Sequence, residues 1–157
     1  MIEMIKSVLT SYTPILLIIS NIYWLWGKTV YLYGYIIGYI ISMFVNNILK
    51  ELIKEPRPSE DKSLYYAKLS YSINLLRAQE YGMPSGHAQE LFYSLIYLVL
   101  VMKSQYILVP ELLIIIYCLY ERLVQEYHTL KQLVVGSIVG IMMGYVVYKI
   151  VNAVIKI

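Results

Sequence analysis

Charged residues are scarce in this sequence. They make up 15% of its 157 residues, whereas soluble domains carry about 25%. Hydrophobic residues make up 59%, and the mean hydropathy is +0.62. This composition excludes an ordinary soluble domain. It predicts an integral membrane protein whose length suits a single domain, residues 1–157.

Cysteine and net charge are low as well. The single cysteine, Cys118, excludes an internal disulfide and the cysteine-rich zinc sites, and its apolar surroundings predict a small buried side chain. The net charge of +3 is too small to indicate nucleic acid, so no nucleic-acid partner is expected. Because no Asn-x-Ser/Thr sequence occurs, glycosylation gives no clue to membrane orientation.

Uncharged runs predict an all-α bundle of about five membrane spans. Residues 7–27 and 29–49 each match the ~20 residues that a spanning helix needs. The first run has Pro14 near its start and could be a signal peptide, but no small-x-small cleavage site follows it, so we expect a retained anchor. Three further spans are expected: from the turn at Gly86-His87 to about Met102, from near Tyr106 to about Arg122 with Pro110 and Glu111 in its first turn, and from Leu133 through Val147 to the C-terminus.

Glycines at four-residue spacing lie within two of these spans. Gly34 and Gly38 lie in the second, and Gly136, Gly140 and Gly144 lie in the fifth. Such stripes of small residues let helices approach closely. We therefore expect them to serve packing rather than catalysis.

The segment 50–84 differs in composition from the spans, because it mixes charged residues with tyrosines. Pro56 and Pro58 are expected to end the preceding helix. Residues 64–76 read as an amphipathic segment lying at the membrane surface. Four basic side chains are expected to face lipid headgroups rather than a substrate: Lys54, Lys62, Lys68 and Arg77.

Five spans would bring segments 50–84 and 121–131 to the same side of the membrane. Three polar blocks would meet there: Lys50 with Arg57-Pro58, Pro84-Ser85-Gly86-His87, and Arg122 with His128 and Gln132. A glycine before a helix lets the backbone approach a ligand, and the first N–H groups of a helix favour an anion. Histidine can transfer a proton near neutral pH. A phosphate fits this combination best.

The three blocks resemble the signatures of the type-2 phosphatidate phosphatase superfamily, which includes the vanadium haloperoxidases. The signatures are Lys-x6-Arg-Pro, Pro-Ser-Gly-His and Arg-x5-His. The wider stretches Glu55-Pro56-Arg57-Pro58, residues 81–89 and residues 127–129 with Gln132 resemble the dolichyldiphosphatase branch in particular. The resemblance covers nearly all of residues 50–140. It implies a lipid diphosphatase of the endoplasmic reticulum membrane with a luminal active site.

The resemblance also implies a role for each residue. Lys50, Arg57 and Arg122 would hold the phosphoryl oxygens, and Ser85 with the N–H groups of Gly86 and His87 would complete the pocket. His128 would be the nucleophile that forms a phosphohistidine, and His87 would be first general acid and then general base. No carboxylate cluster reads as a magnesium site, so neither a metal nor another cofactor is expected.

Three further residues near the predicted site are Gln132, Glu121 and Glu90. Most of the superfamily has an aspartate where this chain has Gln132; the dolichyldiphosphatase branch resembles this chain in having glutamine, whose carbonyl can orient His128 but brings no charge. Glu121 stands where the broad pattern has serine, and either braces Arg122 or caps a helix end. Glu90 either tunes His87 or, as we favour, caps the N-terminus of the third span.

The sequence is compatible with three hypotheses for function. The first is hydrolysis of the terminal phosphate of a polyprenyl diphosphate, dolichyl diphosphate by resemblance, with the isoprenoid held among membrane lipids. The second is a phosphatase for phosphatidate or another lipid phosphate. The third is a catalytically silent membrane adaptor that keeps the fold, for which Gln132 is the one supporting feature.

Overall fold

Five helices make up the computed structural model, which describes residues 2–59 and 80–156. They are α1 (Ile2–Leu25), α2 (Thr29–Ile53), α3 (Gly86–Met102), α4 (Gln105–Val124) and α5 (Leu130–Ile155). The predicted all-α class is confirmed, and five helices lie where the five spans were predicted, although several are a few residues longer than the uncharged runs. The predicted amphipathic segment 64–76, together with Lys62, Lys68 and Arg77, lies outside the described residues.

Two prolines lie inside helices. Pro14 is in the middle of α1, because this helix begins earlier than expected, so its predicted position near the helix start was wrong. Pro110 is in the second turn of α4 rather than the first, although α4 begins at Gln105, close to the expected start. A spanning helix tolerates proline where neighbouring groups satisfy the freed carbonyl. The prediction that α2 ends before Pro56 is confirmed. The C-cap residue of α2, Lys54, has φ 52° in the left-handed region, and its N–H donates to the Lys50 carbonyl.

The bundle has a polar interior and an apolar surface. Asn21, Ser42, Gln89 and Ser94 are buried, while large apolar side chains around the outside are exposed, for example Met142 at 61%. An apolar surface of this extent is suited to lipid. Of the described residues, α2 and α5 are long and apolar enough to cross a membrane, and shorter apolar helices cover Tyr12–Leu25 and Gly86–Met102.

The glycine stripe of α5 lies directly against the backbone of α3. A Cβ atom on any of its three glycines would approach a backbone carbonyl oxygen far more closely than real Cβ atoms do, so the predicted packing role is confirmed. The distances are 2.4 Å from Gly136 to Ser85, 2.2 Å from Gly140 to Gln89 and 2.8 Å from Gly144 to Tyr93. As a result, the start of α5 is held against the turn that precedes α3.

Tyrosine hydroxyls join α2 to α3 inside the bundle. Tyr93 donates to the Tyr35 carbonyl at 2.9 Å and Tyr97 to the Tyr31 carbonyl at 2.7 Å. The Tyr35 hydroxyl is itself hydrogen-bonded to Ser94 Oγ and accepts from the Asn21 amide on α1. Since an unpaired buried hydroxyl costs several kcal/mol, these bonds stabilise one register of the three helices. Cys118 is fully buried, as predicted.

Candidate active site

The three predicted blocks lie at one end of the bundle. Lys50 is in the last turn of α2, Arg122 is in the last turn of α4, and Gln132 is in the first turn of α5. α3 starts at this same end, with Ser85 as its N-cap residue. Lys50 (3% exposed), Arg122, His128 and Gln132 are all buried. The alternating direction of the helices thus collects residues that are far apart in the sequence.

His128 is positioned by a tight turn after α4. Glu126 has φ 55°, a left-handed conformation that is uncommon for residues other than glycine. The turn brings the N–H groups of Tyr127 and His128 back to the Arg122 carbonyl, at 3.1 and 3.3 Å. Thr129 then caps α5 in a reciprocal capping box with Gln132. His128 is therefore fixed between the end of one helix and the start of the next.

The two nitrogens of His128 have different partners. Arg57 Nη1 lies 3.2 Å from Nε2 and also donates to the Tyr127 carbonyl at 3.2 Å. Gln132 Oε1 lies 3.2 Å from Nδ1. Because a guanidinium can only donate, Nε2 carries the lone pair and Nδ1 carries the hydrogen. This tautomer leaves the lone pair on Nε2 rather than on Nδ1.

His87 makes the equivalent contact with the other arginine. Arg122 Nη2 lies 3.0 Å from His87 Nε2, and its guanidinium also stacks over the Tyr127 ring, 4.9 Å from the centroid. His87 is in the first turn of α3, where the Ser85 hydroxyl accepts from the Ala88 N–H at 3.4 Å. Each predicted histidine therefore contacts one predicted cation that comes from a different block of the sequence.

A polar network that the sequence analysis missed holds the turn before α3. Asn46 Nδ2 donates to the Gln89 side chain at 2.8 Å and to the Pro84 carbonyl at 3.4 Å. Gln89 in turn donates to the carbonyl and hydroxyl of Ser42, at 2.7 and 2.9 Å. Asparagine and glutamine inside apolar spans were the available signal, since buried intramembrane polar groups are commonly functional or paired.

Glu90 has a different role from the one expected. The N-terminus of α3 is capped by Ser85, and its first turn holds no acidic residue, so the capping interpretation of Glu90 was wrong. The Glu90 carboxylate accepts from the Tyr39 hydroxyl at 3.0 Å and interacts electrostatically with Lys50. The contact with Tyr39 therefore joins α3 to α2.

Glu121 can also be placed. Its carboxylate accepts from the side chain of Gln125 at 2.9 Å, and Gln125 is the C-cap residue of α4. This contact favours the helix-end interpretation. Lys54 is exposed, in agreement with its expected position at the surface.

The electrostatic surroundings keep His128 neutral. Burial lowers the pKa of His128 well below 6.5, and the positive charges of Arg57, Lys50 and Arg122 lower it further, against the opposing effect of the hydrogen bond that His128 donates to Gln132. A neutral imidazole retains the lone pair that a nucleophile needs. In residues 2–59 and 80–156, no three His, Cys, Asp or Glu side chains gather in a way that could hold a metal ion.

The fold and this end of the bundle define an all-α membrane protein with a cationic cluster built around two histidines. The chain belongs to the PAP2 superfamily, whose model matches residues 30–156, and the predicted family is thereby confirmed. It is similar to dolichyldiphosphatase 1 of Dictyostelium discoideum, with 32% identity over 92 residues, covering 52% of this chain and 40% of that protein. The similarity thus spans less than half the length of that relative. No solved structure matched the chain.

Proposed function

We propose that this protein is a membrane lipid diphosphatase that removes the terminal phosphate of a polyprenyl diphosphate. The observation that carries the proposal is the crossed pairing of Arg57 with His128 and of Arg122 with His87 at one end of the bundle. Membership of the PAP2 superfamily supports phosphatase chemistry, and similarity to a dolichyldiphosphatase supports a diphosphate substrate.

In the first step, His128 Nε2 attacks the terminal phosphorus and the bond from that phosphorus to the bridging oxygen breaks. Arg57, Arg122 and Lys50 bind the phosphoryl oxygens. Both guanidinium groups therefore move away from the histidine nitrogens that they contact in the absence of substrate. His87, once protonated at Nε2, gives its proton to the bridging oxygen of the leaving monophosphate. Three cations stabilise the charge that spreads over the phosphoryl oxygens.

In the second step, water attacks the phosphorus of the phosphohistidine and the N–P bond breaks. His87, now neutral, takes the proton of that water. Inorganic phosphate leaves, and His128 returns to its neutral form with the hydrogen on Nδ1. The lowered pKa of His128 favours this return, because the imidazole is not trapped as a cation.

The apolar outer surface supports a lipid substrate. A polyprenyl chain can stay in the bilayer beside the bundle while its diphosphate reaches the polar end, so only the headgroup must leave the lipid. We place this end at the luminal face of the endoplasmic reticulum, on the basis of the family resemblance. We assign the whole described chain to one catalytic domain.

The test is phosphate release by the purified protein in detergent, from dolichyl diphosphate and from phosphatidate side by side. His128→Ala is expected to lose diphosphate turnover by about 10³-fold or more. The control is Lys28→Ala, an exposed residue between α1 and α2 at the opposite end, whose side chain makes no capping bond. Unchanged turnover in His128→Ala would refute the assigned nucleophile, and a preference for phosphatidate would replace the diphosphate with a monoester.

A further inference from the structure

Gln132 connects His128 to a carboxylate that the sequence motifs do not assign. Gln132 Oε1 faces His128 Nδ1 at 3.2 Å, and Gln132 Nε2 donates to Glu55 Oε1 at 3.1 Å. Glu55 lies 77 positions earlier in the chain, in the segment that follows α2. Imidazole, amide and carboxylate thus form one continuous chain of hydrogen bonds.

The direction of each bond in this chain is fixed by its neighbours. Gln132 Oε1 also accepts from the backbone N–H of Thr129 at 3.2 Å, and Gln132 Nε2 also donates to the Pro56 carbonyl at 2.8 Å. A backbone N–H can only donate and a carbonyl can only accept, so the amide has one allowed orientation. His128 Nδ1 must therefore donate to Gln132, and Gln132 must donate to Glu55.

The amide has no room to move. Gln132 is fully buried, and a Cβ on Gly82 would lie 2.5 Å from Gln132 Oε1. The backbone N–H of Gly82 also donates to the Glu55 carbonyl at 2.8 Å. Glu55 and the amide are consequently held together by both backbone and side-chain bonds.

We propose that Glu55 is a positioning residue for His128, and that it supplies through Gln132 the negative charge that an aspartate at position 132 would supply directly. The inference rests on the proposed function. When His128 Nε2 bonds to phosphorus the ring becomes cationic, and its Nδ1–H donates more strongly to Gln132 Oε1. A carboxylate on the far side of the amide strengthens that acceptor, because hydrogen bonds in a chain polarise one another.

A surface ion pair is the competing explanation for Glu55. Lys131 Nζ lies 3.0 Å from Glu55 Oε2, with the Lys131 side chain 70% exposed and that of Glu55 25% exposed. Hydrogen bonds from Lys131 and Gln132 lower the pKa of Glu55 from its ordinary value, so the carboxylate is charged at neutral pH under either explanation. The two differ in what happens when each partner is changed alone.

Two matched variants separate the explanations. Glu55→Gln keeps the shape and an acceptor oxygen for Gln132 but removes the charge. Lys131→Ala breaks the same ion pair and leaves the carboxylate in place. If Glu55 acts through the amide, Glu55→Gln lowers kcat by roughly 10-fold to 100-fold, the range seen for the hydrogen-bond partners of metal-binding histidines, with KM little changed. Lys131→Ala then keeps the kcat of the wild type. Equal losses in the two variants would overturn the proposal in favour of the ion pair.

A readout that does not depend on turnover comes from the small number of histidines. The chain has two, so His87→Gln leaves only the His128 imidazole to observe by nitrogen NMR in labelled protein. The charged groups that face this ring are Arg57, Lys50 and Arg122, with Glu55 beyond the amide. In this background, Glu55→Gln is expected to lower the pKa of His128 further, and Lys131→Ala is not.

The two readouts also separate this inference from the proposed function. If the wild type is inactive but the pKa of His128 changes in Glu55→Gln, the diphosphatase function is refuted and the role of Glu55 stands. If the wild type is active and neither kcat nor the pKa of His128 changes in Glu55→Gln, the role of Glu55 alone is refuted. Should His87→Gln fail to fold, the His128 signal can be assigned in the otherwise unchanged protein as the one lost in His128→Gln.

Discussion

Gly136→Ala tests whether the packing of α5 against α3 positions the turn that carries His87. The new Cβ would lie 2.4 Å from the Ser85 carbonyl oxygen and 3.1 Å from the Ser85 nitrogen, whereas ordinary contact begins at 3.4 Å. The two segments must therefore separate by about 1 Å at this point, on the usual scale of core overpacking. The Ser85 N–H also donates to the Gln132 carbonyl at 3.1 Å, so the same displacement weakens the bond that joins the turn to α5.

Two effects of different size are expected from this substitution. Overpacking of a close contact lowers the free energy of unfolding by about 1–3 kcal/mol. Displacement of reacting groups by about 1 Å can lower the rate by roughly 10²-fold, and Ser85 belongs to the turn that carries His87. Gly136→Ala is thus expected to lower kcat more than its loss of stability alone would explain.

The assay combines thermal unfolding in detergent with steady-state turnover of a polyprenyl diphosphate. Gly140→Ala is the first comparison, since its Cβ would meet the Gln89 carbonyl at 2.2 Å, one turn further from the site. Gly27→Ala is the control, because nothing lies within 4 Å of the added atom. We expect both stripe variants to unfold at lower temperature, with the greater loss of kcat in Gly136→Ala. Wild-type stability and turnover in Gly136→Ala would refute the reasoning.

Tyr35→Phe removes the hydroxyl that bonds both Asn21 and Ser94 in the interior, and should lower the free energy of unfolding by about 1–3 kcal/mol with kcat near wild type; an unchanged denaturant midpoint would contradict this. Arg57→Lys keeps the charge but loses the planar guanidinium group that can bind two oxygens at once. Steady-state kinetics should show a fall in kcat/KM of at least about 10-fold, and a variant as active as wild type would contradict this. Because burial and nearby cations hold the pKa of His128 well below 6.5, only the unfolded chain takes up this proton as the pH falls below 6.5. The free energy of unfolding should therefore fall as the pH drops below 6.5, by up to about 1.4 kcal/mol per pH unit. Melting curves of His128→Gln at the same pH values should lack this pH dependence.

The helices and the close contact of α5 with α3 could be predicted because they depend on local patterns. Uncharged runs locate a spanning helix, and glycines at four-residue spacing mark the face that permits close approach. The start of α1 was less well predicted, since Pro14 lies inside a helix that begins more than a turn before the uncharged run. Sequence rules for proline describe helices in water, whereas a bundle in lipid satisfies the freed carbonyls in other ways.

The residues of the candidate site could be named from the motifs, but their partners could not. The pairing of Arg57 with His128 joins positions 71 apart, and that of Gln132 with Glu55 joins positions 77 apart. Such contacts depend on which helix ends meet, and no local pattern carries that information. The same holds for Glu90, whose partners Tyr39 and Lys50 come from α2, and for the left-handed turn at Glu126.

The most direct measurement is the capture of the covalent intermediate on His128. Protein mixed briefly with a polyprenyl diphosphate labelled in its terminal phosphate, then quenched in alkali where phosphohistidine survives, is expected to carry the label on the peptide that contains His128. His128→Ala should carry none. Label that persists in His128→Ala, or that maps to another residue, would contradict the assignment of His128 as the nucleophile.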